Sequence, residues 1–113
     1  MDCIFCKIIA GEIPGKTLYQ DEKVTAFRDI NPLAPTHVLI IPKRHIPSLA
    51  HLTDAETPLI GRMAKIANQL ARDGGISERG YRLVISSGAE GGQIVPHLHM
   101  HLLGGQNLSG KMG

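Results

Sequence analysis

The stretch "GGQIVPHLHMHLLGG", residues 91 to 105, alternates His97, His99 and His101 with Leu98, Met100 and Leu102. Successive side chains of a strand point to opposite faces, so an extended reading puts the three imidazoles on one face and the apolar residues on the other. One face would pack against a core and the other would present chemistry. Gly91 and Gly92 before the histidines and Gly104 and Gly105 after them bound the segment as turn residues do.

"YRLVISS" at 81 to 87 reads as the preceding strand, joined through "GAEGG". Upstream of it, "LTDAETPLIGRMAKIANQLARDGG" repeats apolar residues at helical intervals (Leu59, Ile60, Met63, Ile66, Ala67, Leu70), with Thr53 and Glu56 at capping-box spacing and Gly74 and Gly75 as the stop. The run Val38-Leu39-Ile40-Ile41 suits a strand covered on both faces, and it follows a turn rich in proline, "INPLAPT". "TLYQD" (17 to 21) and "VTAFRD" (24 to 29) read as a hairpin, and a short helix from Cys3 to Ala10, capped by Asp2, ends at Gly11. The order α-β-β-β-α-β-β groups strands in runs, which predicts an α+β domain with an antiparallel sheet and one short and one long helix. Gly61, Ala64, Ala67 and Ala71 would let another element approach the long helix closely.

A chain of 113 residues has room for one core, and no linker, repeat or low-complexity tract divides it, so residues 1–113 are read as a single domain. Twelve basic against ten acidic residues, scattered apart from Pro42-Lys43-Arg44-His45, are too weak a field for a nucleic-acid-binding stripe. The start has no basic leader with an apolar run, and no stretch approaches the roughly 20 apolar residues of a membrane span, so a cytoplasmic protein with neither nucleic-acid nor membrane partners is expected. Cys3 and Cys6 form a CxxC pair, which in a reducing compartment suits metal or redox chemistry, or else two small apolar residues on a short helix.

Read from its residues, the histidine segment has three uses: a polar strand face, a zinc site built from imidazoles, or phosphoryl chemistry. The flanking glycines support the last, because Gly88, Gly91 and Gly92 let backbone N–H groups approach an anion. Imidazole, with an ordinary pKa of about 6.5, is a nucleophile near neutrality whose conjugate acid still donates a proton.

"HLHMHLL" resembles the His-φ-His-φ-His-φ-φ signature of the histidine triad superfamily. "CIFCKIIAGEIP", "AFRDINPLAPTHVLIIPKRHI", "GYRLVISSG" and "GGQIVPHLHMHLLGG" extend the resemblance, in order, over residues 3 to 105. The chain is most similar in pattern to the Hint branch, whose members are purine nucleoside phosphoramidate hydrolases. The resemblance implies a five-stranded antiparallel sheet paired across a homodimer through the long helix and an edge strand. It also implies a P–N hydrolase acting on AMP-amine or AMP-lysine conjugates through a nucleotidylated histidine. Dinucleoside polyphosphate hydrolysis of the Fhit type is one alternative, and a nucleotide-binding or interaction module with weak turnover is another. A metal-storage or zinc-dependent regulatory protein would use the CxxC and histidines alone.

By the same resemblance His99 is the nucleophile, His101 contacts a phosphate oxygen, His37 completes the set and relays a proton to the departing amine, and His97 supports orientation. His99 would donate its second ring N–H to a carbonyl near the Gly91-Gly92 turn. Gly92 and Gln93, with Ser86 and Ile94 nearby, would meet the phosphate or leaving group. Asp29 would hold the ribose, and Phe5, Ile13, Phe27, Ile30 and Leu39 would line the purine slot. Catalysis would need no cofactor, while Cys3, Cys6, His45 and His97 would form a structural zinc site. His51 is read as a loop residue. Three departures stand out: Ser86 where members often carry Asn, Ile94 where they carry Ser or Thr, and "GGQNLSGKMG" in place of a Trp-Pro-Pro-Gly ending.

Overall fold

The computed structural model describes residues 3–110. Its five strands form one antiparallel sheet in the order β1-β2-β3-β5-β4. They are β1 (Thr17–Gln20), β2 (Val24–Arg28), β3 (Thr36–Pro42), β4 (Tyr81–Val84) and β5 (Met100–Gly104). Helix α1 (Ile4–Ile9) precedes the sheet and α2 (Thr57–Asp73) falls between β3 and β4, so the expected α+β order holds. Among the described residues, no helix is long and apolar enough to cross a membrane.

The central strand β3 is buried on both faces, as its unbroken apolar run requires. Val38 and Ile40 join Val24, Ala26, Met100 and Leu102 in a core beneath α2, which contributes Met63, Ile66, Ala67 and Ala71. The small Ala67 and Ala71 thus serve contact between helix and sheet, whereas a Cβ on Gly61 would meet no other element among the described residues within 4 Å. On the opposite face Leu39 and Ile41 meet Phe27 and, from α1, Cys3 and Phe5. Phe5 stands edge-on to Phe27 with ring centroids 5.6 Å apart, a favoured aromatic geometry.

Boundaries differ from expectation where side chains or prolines compete with the ladder. Asp2, the expected cap of α1, lies outside the described residues; Cys3 takes the N-cap position, its Sγ accepting the Cys6 N–H at 3.4 Å. The α1 stop is as expected, with Gly11 at φ +78° just past Ala10. The long helix starts later than its pattern suggests, because Asp54–Glu56 forms a 3-10 turn before Thr57. The Glu56 carboxylate reaches back to the Thr53 N–H at 3.0 Å. Strand β4 ends at Val84, so Ile85, Ser86 and Ser87 are outside the ladder.

The larger correction concerns the histidine segment, which is a strand only from Met100. Pro96 has no N–H to donate, the His97 N–H turns back to the Val95 carbonyl at 2.8 Å, and the Leu98 N–H bonds to Ile46 at 2.7 Å. Only His101 therefore follows strand alternation. His97 and His99 are placed by the crossing that precedes β5.

Candidate active site

His101 on β5 pairs across the ladder with Leu39 of β3, and His37 lies two residues before Leu39 on the same strand. Both imidazoles thus share the α1 face of the sheet. They meet directly, with His37 Nε2 2.9 Å from His101 Nδ1. His99 completes the row: its ring centroid is 5.0 Å from that of His101, and the edge of Phe5 packs against it at 5.2 Å.

Each ring has its orientation fixed from behind. His99 Nδ1 lies 2.7 Å from the His97 carbonyl, an acceptor only, so Nδ1 carries the hydrogen and Nε2 of the neutral ring offers its lone pair. The acceptor is therefore His97 itself rather than a carbonyl near Gly91-Gly92, because the backbone crosses directly under the ring. His37 Nδ1 accepts the Leu33 N–H at 3.0 Å. Asp29, half-buried, lies 3.4 Å from His37 Nε2 through Oδ2 and accepts the Asn31 N–H at 2.8 Å through Oδ1. Burial pulls the His101 pKa down to about 4, aided by His99 and His37. Burial also lowers His37, with Asp29 opposing it. The pair is neutral at pH 7, and any hydrogen it presents is that of an uncharged imidazole.

The glycine turn is built differently from expectation. The Gly92 N–H bonds to Ala89 O at 3.1 Å and the Gln93 N–H to Gly88 O at 3.0 Å, so both serve the turn itself. The Gln93 side chain accepts the Gly88 N–H at 2.9 Å and donates to Pro47 O at 2.7 Å and Val95 O at 3.0 Å. Gln93 thus pins the loop to the segment after β3. A Cβ on Gly91 would fall 2.5 Å from the Ser87 carbonyl, so the chain crosses there at a distance only glycine permits.

The residues expected around the base divide into two groups. Phe5, Phe27 and Leu39 belong to the buried cluster under the histidines, while Ile13 is half-buried and Ile30 is 84% exposed. Ser86 is half-buried after β4, and Ile94 is 91% exposed, the side chain of neighbouring Val95 packing inward instead. His51 bonds to Ser48 at 2.7 Å in a 3-10 turn. A groove of about 530 Å³ lies elsewhere, beside the start of α2, lined by Lys23, Arg44, Glu56 and Arg62 among others. Its arginines are already paired, Arg44 with Glu56 and Arg62 with Asp21.

The second cluster joins Cys3, Cys6, His45 and His97, whose candidate donor atoms all lie within 4.8 Å of one another. Cys3 Sγ is 3.3 Å from His97 Nδ1, Cys6 Sγ is 3.3 Å from His45 Nδ1 and 3.6 Å from His97 Nδ1, and both thiols are free. Tetrahedral Zn–S and Zn–N bonds of ordinary length place sulfur and nitrogen about 3.6 Å apart, so the set fits zinc. The other nitrogen of His97 lies 2.8 Å from the Pro42 carbonyl, which is the outer partner that a zinc-bound imidazole takes. With both nitrogens engaged here, His97 turns only its backbone carbonyl toward His99. Neither the Pro42 carbonyl nor the Leu33 N–H could be singled out in the sequence, since every residue type carries a carbonyl and all but proline an N–H.

Known proteins resemble this chain over nearly all of its length. Residues 10–108 match the HIT domain. The chain is 50% identical over 107 residues to the purine nucleoside phosphoramidase of Escherichia coli (strain K12), covering 95% of this chain and 90% of that protein. It is 47% identical over 103 residues to protein HitA of Neisseria gonorrhoeae, covering 91% and 95% respectively. The crystal structure of a HIT family hydrolase from Legionella pneumophila Philadelphia 1 superposes with a TM-score of 0.96 at 46% identity, covering 99% of this chain and all of that one. A histidine triad protein from Clostridium difficile superposes at 0.95 with 43% identity, covering 99% and 97%. With His37, His99 and His101 side by side and nearly all of its length aligned to such relatives, the chain belongs to the HIT family.

Proposed function

We propose that the protein is a hydrolase of purine nucleoside phosphoramidates that works through a nucleotidylated His99. The observation that carries this reading is the His99 ring, anchored through Nδ1 on the His97 carbonyl at 2.7 Å, which leaves Nε2 as a free lone pair beside His101. The 50% identity to a protein named purine nucleoside phosphoramidase supports the substrate class. In the first step Nε2 of His99 bonds to phosphorus as the P–N bond breaks and the amine leaves with a proton taken from solvent water. In the second, water adds to phosphorus and gives up a proton to solvent, the His99–P bond breaks, and the nucleoside monophosphate departs. His101 donates a hydrogen bond to a phosphoryl oxygen as charge develops there. Asp29 holds ribose hydroxyls, and Ile30 with Ile13 covers the base.

Zinc in the Cys3, Cys6, His45, His97 set would be structural, since protein fills all four positions. It would tie α1, and with it Phe5, to the segment that carries His99. The protein would pair as a homodimer through α2 and an edge strand. The edge strand β4 is tied to α2, Tyr81 Oη donating to Asn68 at 2.6 Å.

The test is incubation of purified protein with an AMP-amine conjugate. AMP release is expected, and His99→Ala should abolish it in a folded chain; equal release by that variant would overturn the mechanism. AMP binding without turnover by the parent protein would instead make it a binding module.

A further inference from the structure

Two clusters of histidines with cysteine or carboxylate partners have backbone surroundings of opposite polarity. Cys3, Cys6, His45 and His97 form one; Asp29, His37 and His101 form the other, also with donor atoms within 4.8 Å of one another. Behind His97 stands a carbonyl, that of Pro42. Behind His37 stands a backbone N–H, that of Leu33, at 3.0 Å. An N–H can only donate, so His37 Nδ1 must be the bare nitrogen and the ring hydrogen must reside on Nε2.

We propose that the Leu33 N–H sets the tautomers of both His37 and His101, making His37 a positioning residue that forces His101 to present Nε2–H to the substrate. His37 Nε2–H donates to His101 Nδ1 at 2.9 Å, with the Asp29 carboxylate at 3.4 Å as a weaker second acceptor. A His101 ring that accepts at Nδ1 has its one hydrogen on Nε2, which is what a donor to a phosphoryl oxygen requires. The low proton affinities of both rings agree, since neither needs a second hydrogen to satisfy its neighbours. His37 is thereby a fixed donor and not a relay, because carrying a proton through it would place a hydrogen on Nδ1 against the Leu33 N–H. The same clash disfavours a metal at Asp29, His37 and His101. An imidazole that binds metal through Nε2 keeps its hydrogen on Nδ1 and wants an acceptor there.

The catalytic consequence rests on the phosphoramidase reading, but the tautomers can be measured without substrate, so the two can fail separately. Nitrogen-15 NMR of the ring nitrogens at pH 7 should show a protonated Nε2 and a bare Nδ1 for both His37 and His101. An Nδ1–H tautomer or a cationic ring at His101 would overturn the proposal whatever the protein hydrolyses. Leu33→Pro removes the N–H and should shift His37 toward a tautomer mixture; an unchanged spectrum from that variant would assign the lock to something else and overturn the role of Leu33. On an AMP-amine conjugate, His37→Leu should lower kcat by on the order of 10- to 100-fold with KM little changed, a fraction of the loss for removing an oxyanion donor outright. His37→Gln, which keeps a donor where Nε2 stood, should recover most of that. Equal losses in the Leu and Gln variants would reduce His37 to a packing residue and overturn the proposal.

Discussion

Cys3 Sγ lies 3.3 Å from His97 Nδ1, although 94 positions separate the two residues in the chain. That contact fastens the first helix to the segment carrying His99, and Phe5 on the same helix lies edge-on to the rings of both His97 and His99. Structural stability and site geometry therefore share a fastening. Zinc removal and cysteine replacement should expose that link. Cys6→Ser is expected to abolish zinc uptake, read by elemental analysis, and to lower stability by about 3 kcal/mol, the ordinary scale for losing a structural metal or buried network in a domain that keeps its core. Hydrolysis measured on the folded fraction should fall far less than in His99→Ala. Loss of activity with no loss of stability would instead assign the metal to catalysis.

Acid should destabilise the fold through the histidine pair. An unfolded histidine titrates near 6.5, whereas burial holds His101 at about 4 and also lowers His37. Between those values the unfolded chain binds protons that the folded chain refuses, so the contribution is fully present above about pH 6.5 and is lost as pH falls toward 4. The slope is at most about 1.4 kcal/mol per pH unit for each group. Denaturant midpoints across this range should fall more gently in His101→Asn than in the parent, and identical slopes would disprove the assignment.

Asp21 organises the β1–β2 turn. Its carboxylate accepts from the Lys23 and Val24 N–H groups at 2.8 and 2.9 Å, from Tyr19 Oη at 2.6 Å and from Arg62 on α2 at 2.6 Å. Burial pushes its pKa up, but these donors, the Tyr19 hydroxyl foremost, outweigh it and hold the group well below the usual carboxylate range. Asp21→Ala should destabilise by about 1 to 3 kcal/mol because two turn N–H groups and a tyrosine lose their acceptor together. Arg62→Ala should cost under about 1 kcal/mol, as a solvent-exposed ion pair does. Chemical denaturation of the two variants compares them directly.

Ile94 separates function from stability. At 91% exposure it supports no core, so Ile94→Ser should change stability by less than about 0.5 kcal/mol. On the proposed reading, in which this position adjoins the leaving group, the added hydroxyl should raise turnover of an AMP-amine conjugate several-fold. Unchanged kinetics across conjugates with small and bulky amines would place Ile94 outside the leaving-group site.

The order of elements, the doubly covered β3 and the amphipathic face of α2 were all legible in the sequence, whereas the grouping of His37 with His99 and His101 came only from the family resemblance. Apolar periodicity and turn residues are local signals, and burial of an apolar face admits few arrangements. The extent of the histidine strand was not legible, because Pro96, a local bond from the His97 N–H to Val95 and a long-range bond from the Leu98 N–H to Ile46 displace His97 and His99 from the ladder. Nor was the use of Gln93, whose amide could serve a ligand or a loop equally well until the Pro47 carbonyl was brought beside it. The division of labour among chemically identical imidazoles is set by the folded backbone. A carbonyl from Pro42 behind His97, the His97 carbonyl behind His99 and an N–H from Leu33 behind His37 assign a hydrogen to one ring nitrogen and deny it to the other. Those backbone groups are independent of side-chain identity, so the sequence names the histidines while the fold determines what each can donate, accept or bind.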